Sequence, residues 1–255
     1  MKLLLIGTGY VGFTLLQTWP DPTFTTLTTT PAKLGPLAPY DPHLLTIKRN
    51  TDLSPLLAQV DGVIITAAKK KDSTYEACYL DIAHAVKNSL KTREKPLYLL
   101  YTSSTAAVNH PTLKETEEVY ASIPNAHTCI LRLGGIYGPN RTLLERAAML
   151  STKGLSGTGN EVTNHIHLDD LVGAIKYFTT KQITGRFTLV NDDHPTRMAL
   201  YTALCNLQDL PPPQLIDQAP TRHLSNLAHP NEPIKERGYI FKHPHLSVEY
   251  PDLEI

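Results

Sequence analysis

The chain has 255 residues, 41% of them hydrophobic and 19% charged, and its 24 basic and 24 acidic side chains cancel. That length buries an ample core, while the absent net charge, with no basic tract beyond Lys69-Lys70-Lys71, gives a nucleic-acid or anionic-membrane partner little electrostatic support. Cys78, Cys129 and Cys205 are odd in number and widely spaced, which suggests neither a disulfide framework nor a zinc cluster and fits a reducing cytoplasm; no apolar run has the length of a membrane span.

Leu3 to Ile6 is a continuous apolar run of the kind that forms a strand buried on both faces, and it leads directly into Gly7-Thr8-Gly9-Tyr10-Val11-Gly12. This is GxGxxG where its mechanics require it. Gly7 allows the tight turn, Gly9 keeps side chains away from a pyrophosphate, and Gly12 lets the next helix approach the sheet. The N–H groups of Tyr10 and Val11 at the helix start then favour phosphate. Pro20 stops this helix, and Phe24 to Thr28 has the β-branched content of a second strand. The loop after it, Thr28-Thr29-Thr30-Pro31-Ala32-Lys33, lacks the carboxylate that often holds the ribose of NAD, so the balance tips slightly to NADP, with Thr29 and Lys33 nearby; a plain Thr-rich loop reads almost as well.

Leu44 to Ile47 reads as a third strand, and Thr51-Asp52-Leu53 opens a helix in which Asp52 either caps or reaches an adenine amino group. Gly62 to Thr66 is a fourth buried strand whose end, Ala67-Ala68, would lie beside a dinucleotide, followed by Lys69 to Lys71 as a solvated turn or a phosphate contact. Between Thr74 and Thr92, Tyr75, Tyr79, Ile82, Val86 and Leu90 recur at helical spacing and predict a crossover helix with a core-facing stripe. Leu97 to Tyr101 is a fifth strand ending in Thr102-Ser103-Ser104-Thr105, hydroxyl groups where ligands collect in parallel sheets. Cys129 to Leu133 forms a sixth strand, and Phe187 to Val190 one more. The alternation predicts an α/β fold: a doubly wound parallel sheet of the Rossmann, NAD(P)-binding type.

The ordered motifs GTGYVG (7–12), YTSST (101–105), LRLGGIYGPNR (131–141), NHIHLDDLVGAI (164–175), GRFTLVNDDHPTR (185–197) and RGYIFKHP (237–244) resemble the atypical, extended short-chain dehydrogenases/reductases of the NAD-dependent epimerase/dehydratase, nucleoside-diphosphate-sugar epimerase-like type. The resemblance implies one NAD(P)-binding domain over 1–255, with a small C-terminal substrate lobe from about 142–166 and 195–255 that is not autonomous. It implies a reacting-oxygen hydrogen bond from Ser104, a nicotinamide flanked by Gly135 and Ile136, and a small-molecule substrate, a sugar or nucleotide sugar among the candidates, facing Asn140 and Arg141. His165 stands where nucleotide-sugar relatives commonly carry a diphosphate-binding Arg, and it offers less charge and no bidentate fork.

One departure is larger. The family's chemistry uses a Tyr-x-x-x-Lys pair on one helical face, and between Ser104 and Cys129 the sole Tyr, Tyr120, has Pro124 in the place of Lys. Tyr120 is the remaining phenol in this loop, with core packing as the competing role. Tyr177 and Lys181 have the spacing but sit well after the sixth strand, as in an ordinary amphipathic helix. His165-x-His167-x-Asp169 could suit a metal, although Asp169 or Asp170 capping the next helix accounts for it without one, and no resident metal is expected. Two functional readings follow: an NAD(P)-dependent oxidoreductase or epimerase, and a dinucleotide-binding sensor or scaffold without turnover. Oligomeric state has no signature in the sequence.

Overall fold

A computed structural model describes residues 1–69, 72–217 and 228–248. Lys70 and Lys71, and parts of the expected substrate lobe (218–227 and 249–255), lie outside the described residues. In chain order the elements begin with β1 (Lys2–Ile6), α1 (Tyr10–Thr18), β2 (Thr23–Thr28), α2 (Leu34–Leu37), β3 (Pro42–Leu44), α3 (Ser54–Leu57) and β4 (Gly62–Ile65). A π-helical turn (Glu76–Leu80) precedes α4 (Asp81–Ser89), followed by β5 (Leu97–Ser104), α5 (Pro111–Ala121), β6 (Ala126–Leu133), β7 (Gly135–Tyr137), α6 (Leu143–Lys153), β8 (Leu155–Ser156) and β9 (His165–His167). The chain continues through α7 (Leu168–Lys181), β10 (Gly185–Leu189), α8 (Arg197–Asn206), β11 (Leu215–Asp217) and α9 (Glu232–Glu236). None of the described helices is long and apolar enough to cross a membrane.

Seven strands form one parallel sheet in the order β3-β2-β1-β4-β5-β6-β10, the doubly wound arrangement in which the order reverses between β1 and β4. β1 and β4 are apolar without alternation because both of their faces are covered, and Leu3, Leu4, Leu5, Val63 and Ile64 are fully buried. The chain divides into two compact units, the first comprising Met1–Arg132 with Val172–Phe187 and the second Leu133–Leu171 with Thr188–Ile255. The second unit starts before residue 142 because β7 pairs in parallel with β9, Ile136 opposite Ile166, outside the seven-stranded sheet. Its own core packs α6 against α8 through Leu143, Ala147, Leu150, Leu200, Tyr201 and Leu204. Thr142 and Glu145 close a reciprocal capping box at the start of α6.

Three local readings of the sequence shift. β3 lies over Pro42–Leu44 rather than 44–47, because Asp41 adopts a left-handed φ of 44° and turns the chain onto β2, its carbonyl accepting the Thr26 N–H at 3.1 Å. Ile47 is still buried, but from a loop. The expected helix over 74–92 is divided: the π turn at 76–80 inserts an extra residue into the helical repeat, so Tyr75 and Tyr79 are only half-buried, with Tyr79 still packed against the core that Ile82, Val86 and Leu90 join. Asp170 caps nothing. Its buried carboxylate accepts the Lys242 and His243 N–H groups at 2.6 and 2.8 Å and fastens the segment around Tyr239 to the start of α7.

The first unit is fastened by Glu117, a fully buried carboxylate on α5. Its Oε1 accepts from Ser103 Oγ at 2.6 Å and from Arg132 Nε at 2.9 Å, and its Oε2 accepts from Arg132 Nη2 at 2.7 Å. Arg186 Nε reaches the same Oε2 at 2.9 Å. One side chain thus ties α5 to β5, β6 and β10. Removing it would leave two guanidinium groups without their carboxylate, so Glu117→Ala should lower the unfolding free energy by about 3–5 kcal/mol in urea titrations. A loss below ~1 kcal/mol would show that the network does not hold these strand ends.

Candidate functional site

The turn from β1 into α1 is set by three glycines with three different surroundings. Gly7 has a φ of 102°, and a Cβ there would meet the Ala67 backbone nitrogen at 2.5 Å. At Gly12 a Cβ would stand 2.1 Å from the Gly7 carbonyl oxygen and 2.9 Å from Thr66 Oγ1. Around Gly9 a Cβ would meet nothing within 4 Å. Two glycines therefore let backbones touch, and the third keeps space open at the start of a helix. Thr66 Oγ1 donates to the Gly7 carbonyl at 2.6 Å and locks the turn to the end of β4. Gly9 is the N-cap of α1 with no side-chain cap, and the first turn holds no acidic residue, so its positive dipole end is not neutralised. Tyr10 begins α1, and Val11 is buried behind it. This cradle, which a side chain at residue 9 would fill, fits the pyrophosphate of a dinucleotide.

Other expected residues gather at the carboxyl ends of the strands. Thr29 is exposed after β2, and Lys33 extends its ammonium to the Thr8 carbonyl of the glycine turn. No carboxylate occurs between Thr28 and Lys33. Ala67 abuts Gly7, with Ala68 exposed next to it. Asp52 is exposed and accepts the Ser54 N–H at 2.9 Å, a turn at the start of α3 that draws its carboxyl below the usual carboxylate range. Thr102 is occupied with the Ile65 carbonyl at 3.1 Å and stitches β4 to β5. Half-buried Ser104 accepts the Ala106 N–H through Oγ at 3.2 Å, which leaves its own hydrogen to donate to a ligand oxygen. A depression of about 300 Å³ lined by Leu57, Arg93 and Lys95 lies at the opposite, amino end of β5. There Arg93 Nη2 donates to the Val60 carbonyl at 3.0 Å, far from these hydroxyls.

Tyr120 does not supply a phenol to this site. It is fully buried in the first unit's core, its ring centroid 4.7 Å from that of Tyr101, and burial raises its pKa well above 10. The spacing Leu113, Thr116, Glu117, Tyr120 is the buried stripe of α5, a signal legible in the sequence, and a Glu inside such a stripe marks the paired buried charge that sequence reading missed. Lys114 lies on the exposed side of the same helix. Tyr177 is half-buried beside Phe178 on α7, and Lys181 is exposed at its end.

In the second unit Gly134 and Gly135 permit a close approach of backbones: a Cβ at Gly134 would stand 2.5 Å from the Asn164 carbonyl oxygen, which accepts the Gly135 N–H at 2.7 Å. Ile136 follows, half-buried in β7. Asn140 at a φ of 61° and Arg141 are exposed on a tight turn in which Arg141 N–H donates to the Gly138 carbonyl at 3.0 Å. His165 is only 9% exposed, and burial, reinforced by Arg146 and His194, depresses its pKa to about 4. It is neutral at physiological pH. The structure groups His167 and Asp169 with His243 rather than His165, their ligand-type atoms within 4.8 Å of one another. These groups engage each other: the His167 and His243 rings stack at 3.8 Å, and His167 Nδ1 accepts the Asp169 N–H at 3.2 Å.

No family model matches the chain. The Escherichia coli K12 protein YeeZ is 23% identical over 241 residues, covering 84% of this chain and 86% of that protein. Among solved structures, the UDP-glucuronic acid 4-epimerase of Bacillus cereus, in complex with UDP-glucuronic acid and NAD, is similar at a TM-score of 0.73 and 19% identity, over 97% of this chain and 95% of that one. A functionally unknown conserved protein from Silicibacter pomeroyi is similar at 0.72 and 19%, over 96% and 94%. The human epimerase family protein SDR39U1 with NADPH is similar at 0.65 and 12%, over 96% of both chains. The chain thus has the fold seen in the UDP-glucuronic acid 4-epimerase and in the epimerase family protein SDR39U1.

Proposed function

We propose that the protein is an NAD(P)-dependent oxidoreductase or epimerase-like enzyme acting on a small hydroxyl or carbonyl compound, sugar derivatives included, with a slight lean to NADP. The observation that carries this reading is the space at Gly9 between two glycines whose backbones touch their neighbours. A pyrophosphate at that space would accept from the start of α1, and two of the structures of similar fold, the Bacillus cereus 4-epimerase and human SDR39U1, contain NAD and NADPH respectively. When bound, the cofactor supplies hydride chemistry. Ser104 then orients the reacting oxygen by donating its hydroxyl hydrogen. Lys33, braced on the Thr8 carbonyl with no carboxylate beside it, supports the 2′-phosphate and hence NADP over NAD. The free cysteines Cys78, Cys129 and Cys205 suit a cytoplasmic setting.

Neutral His165 argues about the substrate. It brings no positive charge to a diphosphate, so a nucleotide sugar would have to rely on Arg141 and Arg146, both exposed in the second unit. Burial of Tyr120 and the absent Tyr-x-x-x-Lys pair favour a second reading, a dinucleotide-binding sensor or scaffold without turnover.

Fluorescence titration with NADPH and NADH, followed by turnover assays on sugars, nucleotide sugars and simple carbonyls, separates these readings. The enzyme reading expects tighter NADPH binding and turnover on at least one class, with Lys33→Glu weakening NADPH by about 10- to 100-fold and NADH little. Binding without turnover leaves the sensor, and indifference to both nucleotides at millimolar levels removes both readings. For His165 the folded pKa lies below the unfolded value of ~6.5. Its stabilisation is therefore complete above pH 6.5 and lost as pH falls toward about 4. Urea titrations at pH 7 and pH 4 should show the wild type losing on the order of 3 kcal/mol more than His165→Phe over this interval. Parallel losses would mean that His165 is charged in the folded protein.

A further inference from the structure

With the family's phenol-ammonium pair missing, another acid-base group must stand near Ser104 if the protein turns over. The first unit holds one assembled cluster at the carboxyl ends of β4 and β5. The His110 ring stacks on Tyr75 at 4.1 Å between centroids, and Tyr75 lies 5.6 Å from Tyr79. Lys69 Nζ stands 5.9 Å from the centre of the Tyr75 ring, and the Lys69 N–H donates to Tyr79 Oη at 3.0 Å. Glu76 accepts from Thr112 Oγ1 at 3.1 Å. The imidazole thus stacks on a phenol ring that an ammonium group approaches, beside a carboxylate tied to the first turn of α5.

The cluster is joined to Ser104 through backbone. Ser104 Oγ accepts the Ala106 N–H, and the Ala106 carbonyl accepts the N–H groups of Asn109 at 3.0 Å and His110 at 2.9 Å. Between the two residues lie a four-residue 3-10 turn, Thr105–Val108, and Asn109. From the other side Thr102 binds the Ile65 carbonyl, and Lys69 follows four residues later. Tyr75 directly precedes the π turn, and such turns are frequent at functional sites.

We propose that His110, positioned by the Tyr75 ring, is the acid-base group for the oxygen held by Ser104. This rests on the dinucleotide-dependent reading above. In the oxidative direction the substrate O–H bond breaks and its proton passes to an imidazole nitrogen of His110. With a bound oxidised nicotinamide supplying the hydride acceptor, the electron pair of the broken O–H bond would form the C=O bond, and the imidazolium proton of His110 would then be released to water. Reduction reverses each transfer. Tyr75 is a positioning residue whose ring, not its hydroxyl, matters.

The test combines steady-state kinetics on the best substrate of the carbonyl panel, NADPH titration, and the imidazole resonances of the wild type on addition of NADP+, with His110 assigned by its loss in His110→Gln. His110→Gln should lower kcat about 100-fold with the NADPH Kd within twofold of wild type. Tyr75→Phe should stay within threefold of wild type and Tyr75→Ala fall at least tenfold. The wild-type His110 resonance should shift on adding NADP+, a readout that does not depend on the activity of any variant. Wild-type rates in His110→Gln, a His110 resonance indifferent to bound NADP+, or binding without turnover on the panel would each overturn the proposal. A wild type that binds neither nucleotide would instead remove the functional reading beneath it.

Discussion

The contact on which the first unit depends is the approach of α1 to its own strand, Gly12 against the Gly7 carbonyl, with Thr66 Oγ1 bonded to that same oxygen. Any side chain at residue 12 would force helix and turn apart, and any at residue 7 would collide with Ala67 in an unfavourable φ. Because both flanks are pinned, the position between them is free to stay empty. Around that uncapped helix start Lys33 reaches the Thr8 carbonyl and Ala67 abuts Gly7, while Ser104 ends β5.

What sequence reading reached easily was local. A strand buried on both faces and a glycine turn are specified by adjacent residues, so β1, the turn and α1 fall where the spacing places them. What it missed was set by partners distant in sequence or by one anomalous residue. Glu117 collects Ser103, Arg132 and Arg186, and none of these pairings leaves a periodic trace. The left-handed turn at Asp41 moved β3, and one extra residue in the π turn moved Tyr75 and Tyr79. Tyr120 is the instructive case. Its place in the 113-116-117-120 stripe marks it as core, although its position in a short loop-to-helix segment after Ser104 invites a catalytic role.

The electrostatics of the two units differ in kind. In the first, a buried carboxylate shared by two arginines rigidifies the strand ends, a use of buried charge that serves geometry because every oxygen is occupied. In the second, burial has the opposite effect on His165, which stays neutral and is held for its shape, while Asp170 uses its carboxylate to bind backbone N–H groups.

The central claim is that the opening at Gly9 receives a dinucleotide pyrophosphate. Backbone amide shifts recorded with NADPH test it directly, by comparing wild type with Gly9→Asp, a substitution that meets no neighbour and places a carboxylate in the opening. The expected result is a set of shifts centred on residues 7–13, with outliers near 29–33 and 66–68, all lost in a Gly9→Asp protein that keeps its dispersed spectrum. Shifts of equal size in both proteins, or none in the wild type at millimolar NADPH and NADH, would contradict the account.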